Sequence, residues 1–142
     1  MRRFFDTNVL VCLVDRSDPV RHARADAVFG QAAEADQVLL SAQVLQELFV
    51  TVTRKLARPL SRDDAELLLK GLVAFPVVSI DAELVLAAAA ISGRHRLSYW
   101  DSAIVAAALA GGATEVLSED LQHGQVIDGI TIINPFESRN RK

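Results

Sequence analysis

Residues 2–15 read RRFFDTNVLVCLVD. Phe4 and Phe5 form a short apolar, strand-like pair, Asp6-Thr7-Asn8 is a polar break, and a second apolar run begins at Val9. A buried strand that turns at once into a helix is the opening of a βα unit, and so of an α/β sheet. The junction needs a polar residue, but it does not need a charge so close to the core. Thr7 or Asn8 alone is enough to cap the helix, which leaves Asp6 surplus to that task and makes it a candidate for chemistry.

Working outward, strands are expected at Arg3–Phe5, Val38–Leu40, Val77–Ile80, Glu115–Leu117 and Ile130–Ile133, all but the third being β-branched, leucine or aromatic runs between turn signals. Helices fill the gaps. One starts at Asn8, one follows Asp18-Pro19, one follows Ser41 and runs to about Arg58 before Pro59, and one follows Ser61. A fifth runs from Asp81 to Gly93, and a sixth from about Tyr99 to Ala110, closed by Gly111-Gly112. Strands alternating with helices imply crossover connections and a mainly parallel sheet covered on both faces. One α/β domain spanning residues 1–142 is expected, with the last few residues, ending Arg139-Asn140-Arg141-Lys142, a flexible tail. In such sheets ligands bind beyond the carboxyl ends of the strands, near the point where strand order reverses.

Composition narrows the function. Apolar residues make up 51% of the 142 and charged residues 23%, a globular balance. No apolar run approaches the roughly 20 residues of a membrane helix. Asp6, so soon after Arg2 and Arg3, leaves no room for a signal peptide's apolar segment. A cytoplasmic location without membrane contact is therefore expected. Cys12 is the only cysteine, so there is no internal disulfide and no thiolate metal cluster; within its apolar run it reads as a small core residue. The net charge of −3 argues against a simple basic nucleic-acid binder. The basic residues are nonetheless bunched, as Arg54, Lys55, Arg58 and Arg62, and as Arg94 and Arg96 around His95. The three histidines lack the HExxH spacing of a zinc site, and no glycine-rich phosphate loop is present. Ser118 has no glycine elbow. Ile133-Asn134-Pro135 lacks the lysine that a receiver-type phosphoacceptor domain would want.

Four acids are harder to explain as structure. Asp6 and Asp120 each follow a strand, and they share one rim of the sheet if those strands are parallel neighbours. Asp101 lies three and four residues before Ile104 and Val105, on the face of the inward stripe Ile104, Val105, Ala108 and Leu109. A charge aligned with a buried stripe costs several kcal/mol unless it is paired or bound to a cation. The competing reading makes Asp101 a helix cap. Glu47 borders the stripe Val44, Leu45, Leu48, Phe49 and Val52, with Arg54 two turns further on the same side. Taken alone, Glu47 reads as a surface glutamate. Asp18, Asp63, Asp64 and Asp81 sit at helix starts, where capping and the helix dipole account for them.

The segments FFDTNVL, VLQELFV, YWDSAIVAAAL and LSEDLQHG, in that order and on those elements, resemble the PIN-domain ribonucleases, and among them the VapC-type toxins of toxin–antitoxin pairs. The resemblance implies a three-layer α/β/α fold whose mainly parallel sheet has about five strands, the first of them central. It implies Asp6, Glu47, Asp101 and Asp120 as the catalytic, metal-binding acids, with Thr7, Asn8 and Ser118 as polar support. The fourth acid comes as Glu119-Asp120, and alternation after the strand would send Glu119 away, so Asp120 is taken as the ligand. A VapB-like antitoxin and a homodimer are implied in the same way.

Clustered carboxylates repel one another unless something neutralises them. Oxygen-only ligands favour Mg²⁺ or Mn²⁺, which lower the pKa of a bound water and hold a phosphodiester for in-line attack. The expected activity is metal-dependent endoribonuclease cleavage, leaving 5′-phosphate and 3′-hydroxyl ends, in a toxin. A housekeeping RNA-processing nuclease and a non-catalytic binding module are the alternatives. Arg54, Lys55, Arg58, Arg94 and Arg96 are candidate RNA contacts, against the plainer reading of solvated helix ends. Tyr99 and Trp100 are able to stack on an unpaired base, but a large aromatic beside an apolar helix is expected to pack against the fold. The small apolar residues Leu84, Val85 and Ala87–Ala90 suit either a subunit contact or, as expected here, burial against the chain's own sheet.

Overall fold

Phe4 and Phe5 have no exposed surface, and the strand that carries them, β1 (Arg2–Phe5), lies inside a six-stranded sheet. The structure is a computed structural model that describes residues 1–137; the basic tail expected to be flexible lies outside the described residues. After β1 come α1 (Thr7–Val14), α2 (Pro19–Glu34), β2 (Val38–Ser41), α3 (Ala42–Arg54), α4 (Arg62–Leu72) and β3 (Val77–Val78). The chain continues through α5 (Ala82–His95), α6 (Tyr99–Ala110), β4 (Ala113–Leu117), β5 (Val126–Ile127) and β6 (Ile130–Ile133). Strand order is β3-β2-β1-β4-β6-β5. Every neighbouring pair is parallel except β5 with β6. The expected α/β/α arrangement stands, with one strand more than expected.

That extra strand is β5. It returns to β6 through Asp128 (φ 49) and Gly129 (φ 88), two left-handed residues whose twist matches that of the strands they join, and Asp-Gly is a favoured pair for such a turn. The turn signal was present, but a two-residue strand is too short for any periodicity to register. At the opposite edge β3 stops at Val78 rather than Ile80, since only Leu40 and Ser41 of β2 pair with it.

Side-chain caps set most helix starts. Asp18 accepts from the Val20 and Arg21 amides ahead of Pro19, and Ser41, Ser61 and Asp81 cap α3, α4 and α5. Ser98 caps α6 by accepting from the Asp101 amide, so the cap reading of Asp101 is overturned. The helix α3 ends at Arg54, short of Arg58, where the chain turns back and the Leu60 amide reaches the Val52 carbonyl at 2.8 Å. The helix α5 runs past Gly93 to His95 and closes on Arg96 in the left-handed conformation, φ 55.

The helix α6 contacts β2, β4 and β6 and also α5. Ser102 to Ala108 are accordingly buried on all sides, without the single inward stripe expected of them; Leu109, expected inside, is partly exposed at the helix end. The helix α5 is the outer layer. It buries only Ala88 and Ile91, because it rests on α6 rather than on the sheet, and Leu86 is 71% exposed. The expectation that its apolar residues are covered by the sheet is corrected. Among the described residues no helix is long and apolar enough to cross a membrane.

Two glycines test this packing in opposite directions. A Cβ at Gly111 would stand 2.3 Å from Leu39 Cδ2, inside the core where Leu39 is buried, so Gly111→Ala is expected to destabilise by roughly 1–3 kcal/mol. Gly30 in α2 has open space where its Cβ would lie, so Gly30→Ala is expected to stabilise by about 0.5–1 kcal/mol through helix propensity. Thermal unfolding should give Tm shifts of opposite sign. Shifts of the same sign would contradict the contact between Leu39 and the end of α6.

Candidate active site

The pairing of β1 with β4 builds the site. Phe5 stands opposite Leu117, and the Asp6 amide donates to the Leu117 carbonyl at 3.0 Å. The next residue of each strand, Asp6 and Ser118, therefore emerges side by side at the carboxyl rim, where strand order reverses. Ser118 Oγ donates to Asp6 Oδ2 at 2.7 Å and accepts from the Asp120 amide at 3.1 Å. Asn8 ties the same strands from α1: Nδ2 donates to Ser118 Oγ at 3.4 Å, and Oδ1 accepts from the Glu119 amide at 3.2 Å. Thr7 faces the other way, its Oγ1 donating to Glu47 Oε1 at 2.7 Å and tying α1 to α3.

Asp6 Oδ1 also accepts from the Thr7 amide at 2.8 Å and is the N-cap of α1. The division of labour expected from the sequence, with capping left to Thr7 or Asn8, is corrected. Both lie within the helix, and their side chains reach other elements instead. Asp6 caps a helix and is also one of the gathered acids.

Asp6, Glu47, Asp101 and Asp120 line one cavity of about 630 Å³. The three aspartates come from the β1–α1 junction, α6 and the loop after β4, far apart in sequence and lining the same cavity. Burial raises Asp6 to a pKa of about 6; Ser118 and Thr7 pull it down, and the charges of Asp120 and Glu47 push it up. Asp101 is raised above its ordinary value by burial, with Ser98 opposing and Asp120 adding. Two independent elements thus feel the charge of Asp120. Glu119, beside it, turns to Arg21 of α2 at 2.5 Å, and the Arg21 guanidinium lies 4.0 Å from the centre of the Phe136 ring.

The donor set is all oxygen, which suits a hard divalent cation such as Mg²⁺ or Mn²⁺ in kind. A carboxylate raised first by burial and then by neighbouring charges is the electrostatic demand that such a cation relieves. Among the described residues, no three acid, histidine or cysteine side chains stand in the geometry of a finished metal cluster.

The basic candidates separate. Lys55 lines the acidic cavity, on the face of α3 that also carries Glu47 and Thr51 at helical spacing. Arg54 lines a different hollow with Phe49 and Arg62, and Arg58 a third with Arg16. Arg94 and His95 bind Asp128 of the β5–β6 turn, and Arg96 closes α5; none of these three lines the cavity. Arg21, which does line it, was missed because nothing local in α2 marks an arginine that folds toward a loop about a hundred residues away. Cys12 is buried, as expected, and borders the cavity. Trp100, expected to pack against the fold, is 65% exposed, because the Trp100 side chain leaves the first turn of α6 at the cavity mouth while the residues after Asp101 enter the core.

An interior first strand, reversal of strand order at its edge and acids gathered on that rim define an α/β protein with a carboxylate-lined cavity at the switch point of its sheet. The sequence matches the PIN domain over residues 3–127, and the chain belongs to that family. No curated protein matches it in sequence. Among solved structures, it is similar to a toxin–antitoxin complex from Klebsiella pneumoniae, with a TM-score of 0.68 and 21% identity over 95% of this chain and 98% of that one. It is also similar to VapC20 of Mycobacterium tuberculosis, a sarcin–ricin loop cleaving toxin (TM-score 0.63, 21% identity, 80% of this chain and 86% of that one). DNA-bound VapBC from Salmonella typhimurium gives a TM-score of 0.63 at 18% identity, over 95% of this chain and 98% of that one. At such identities the likeness is one of fold.

The raised Asp6 makes a pH prediction. Its folded pKa of about 6 lies above the ordinary aspartate value, so the folded chain binds that proton more tightly than the unfolded chain does. In metal-free protein, stability should fall by roughly 3 kcal/mol at most as pH rises from about 4 to about 6, then level off. Asp6→Asn carries no charge and escapes the slope. Denaturant titrations in EDTA should show the mutant's advantage growing across that window. An advantage that does not change with pH would contradict a buried, repelled Asp6.

Proposed function

We propose that this chain is a divalent-cation-dependent endoribonuclease acting as the toxin of a toxin–antitoxin pair, its chemistry carried by the PIN domain. One observation carries the reading: Asp6, Glu47, Asp101 and Asp120, from four separate elements, line one cavity at the switch point of the sheet. Family membership supports nuclease chemistry. The similar structures support the toxin role, since they include toxin–antitoxin complexes and a sarcin–ricin loop cleaving toxin.

In this reading Asp6, Asp101 and Asp120 hold the cation and Glu47 closes the acidic ring from α3. Mg²⁺ or Mn²⁺ bound there would supply a Lewis acid that activates water and neutralises the phosphate. The chain's own part is orientation. Ser118 fixes one Asp6 oxygen and the Thr7 amide the other, so that carboxylate cannot rotate. Thr7 holds Glu47 against the cavity wall. Lys55 offers an ammonium to a flanking phosphate of the substrate. Single-stranded or looped RNA is the substrate class, because a scissile phosphate must enter the cavity directly. The products carry 5′-phosphate and 3′-hydroxyl ends. A VapB-like antitoxin and a second copy of the chain are the proposed partners, and the apolar residues exposed on α5 leave surface for one of them.

The test is cleavage of a defined RNA set by pure protein, with and without Mn²⁺, followed by end mapping. Asp101→Asn should lose activity by on the order of a hundredfold or more while melting normally, and should relieve growth arrest in cells. Asp101→Asn protein that cuts as fast as wild type would refute the assignment. Ser118→Ala frees an Asp6 oxygen without removing a carboxylate, and should weaken the Mn²⁺ concentration dependence by about ten- to a hundredfold.

A further inference from the structure

Trp100 is the chain's only tryptophan. Its backbone is fixed: the carbonyl accepts from Gln43 Nε2 at 3.4 Å, and that glutamine is itself buried at the start of α3. The Tyr99 ring stands against the indole edge to face, with centroids 5.1 Å apart and planes at 84°. Trp100 is in the first turn of α6, immediately before Asp101, and both line the acidic cavity. The outcome is a braced aromatic plate, still mostly open to water, at the mouth of a cup of carboxylates. Apart from the Tyr99 contact, most of the indole faces water.

Resting on the nuclease reading above, we propose that Trp100 is a stacking platform for an unpaired RNA base beside the scissile phosphate. Stacking needs only a π-face and suits any base. The cavity that the indole borders also holds Asp6, Glu47, Asp101, Asp120 and Lys55, the groups that meet a scissile phosphate in the nuclease reading, so the ligand part nearest the indole is a base. Trp100 and Asp101 line the same cavity, so a base lying on the indole keeps its own phosphate beside the acids. The cavity continues along α3 from Gln43 to Lys55, about 18 Å at 1.5 Å per residue, which leaves Lys55 to meet a phosphate further along the strand. A base held inside a duplex cannot lie on the indole. The platform therefore selects unpaired nucleotides at the point of cleavage rather than a particular sequence.

Trp100 fluorescence reads this contact directly, since no other indole contributes. In Asp6→Asn protein with Mg²⁺, short single-stranded oligoadenylate should quench it. An abasic oligomer of the same length, and oligoadenylate annealed to its complement, should not. In the active protein Trp100→Ala should lower kcat/KM on single-stranded RNA by on the order of ten- to a hundredfold with an unchanged melting temperature, and Trp100→Phe should restore most of the loss. Oligoadenylate retained on a filter with unchanged fluorescence overturns the platform and leaves the nuclease standing, and so does Trp100→Ala protein that cuts at the wild-type rate. The indole then serves a protein contact. Quenching of the Asp6→Asn protein by oligoadenylate, together with wild-type protein that cuts no RNA, overturns the nuclease and keeps Trp100 as a base platform. Neither binding nor cleavage overturns both.

Discussion

The parallel pairing of β1 with β4 is the constraint on which the rest depends. It places Phe5 beside Leu117, and from that register the next residues have no freedom: Asp6 and Ser118 must leave the sheet together, 2.7 Å apart across Oδ2 and Oγ. Because both strands are buried, a slip of one residue would turn apolar side chains out of the core, so register and site are held by the same packing. The site is inherited from the core. Thr7, Asn8 and Ser118 then extend the arrangement by joining α1, α3 and the loop after β4 through side-chain hydrogen bonds.

Against that packing stands an electrostatic cost. Burial and two neighbouring charges push Asp6 up to about 6, and Asp101 shifts in the same direction for related reasons. A fold indifferent to function would replace such groups by neutral ones, since the cap on α1 works as well with serine or asparagine. Hydrogen bonds from Ser118 and the Thr7 amide limit the cost without removing it. The bare cavity is therefore costly to the fold, the pattern of perturbed carboxyls that supports the proposed site.

Much of this was legible in the chain itself. The order of strands and helices, the helix caps at Asp18, Ser41, Ser61 and Asp81, and the four acids could be read from local spacing and from a family likeness. What escaped has a common cause. Burial of α6 on all sides depends on α5 lying over it, and α5 in turn is exposed because α6 occupies the sheet; neither fact is local. Arg21 reaches Glu119 across the fold, whereas Arg94 is drawn to the Asp128 turn and away from the acids. Long basic side chains choose partners in space, and sequence neighbours say little about the choice.

The sequence by itself determined the class of fold and the inventory of chemistry, because strand and helix periods, caps and turns are short-range properties that a dozen residues decide. Only the tertiary structure decided which of that chemistry meets. It made Asp6 both cap and site residue, picked Lys55 rather than Arg54 for the cavity, and left Trp100 in water at its mouth. Those outcomes follow from the register of two strands and the stacking of two helices. Such contacts join residues a hundred positions apart, so no local stretch contains them.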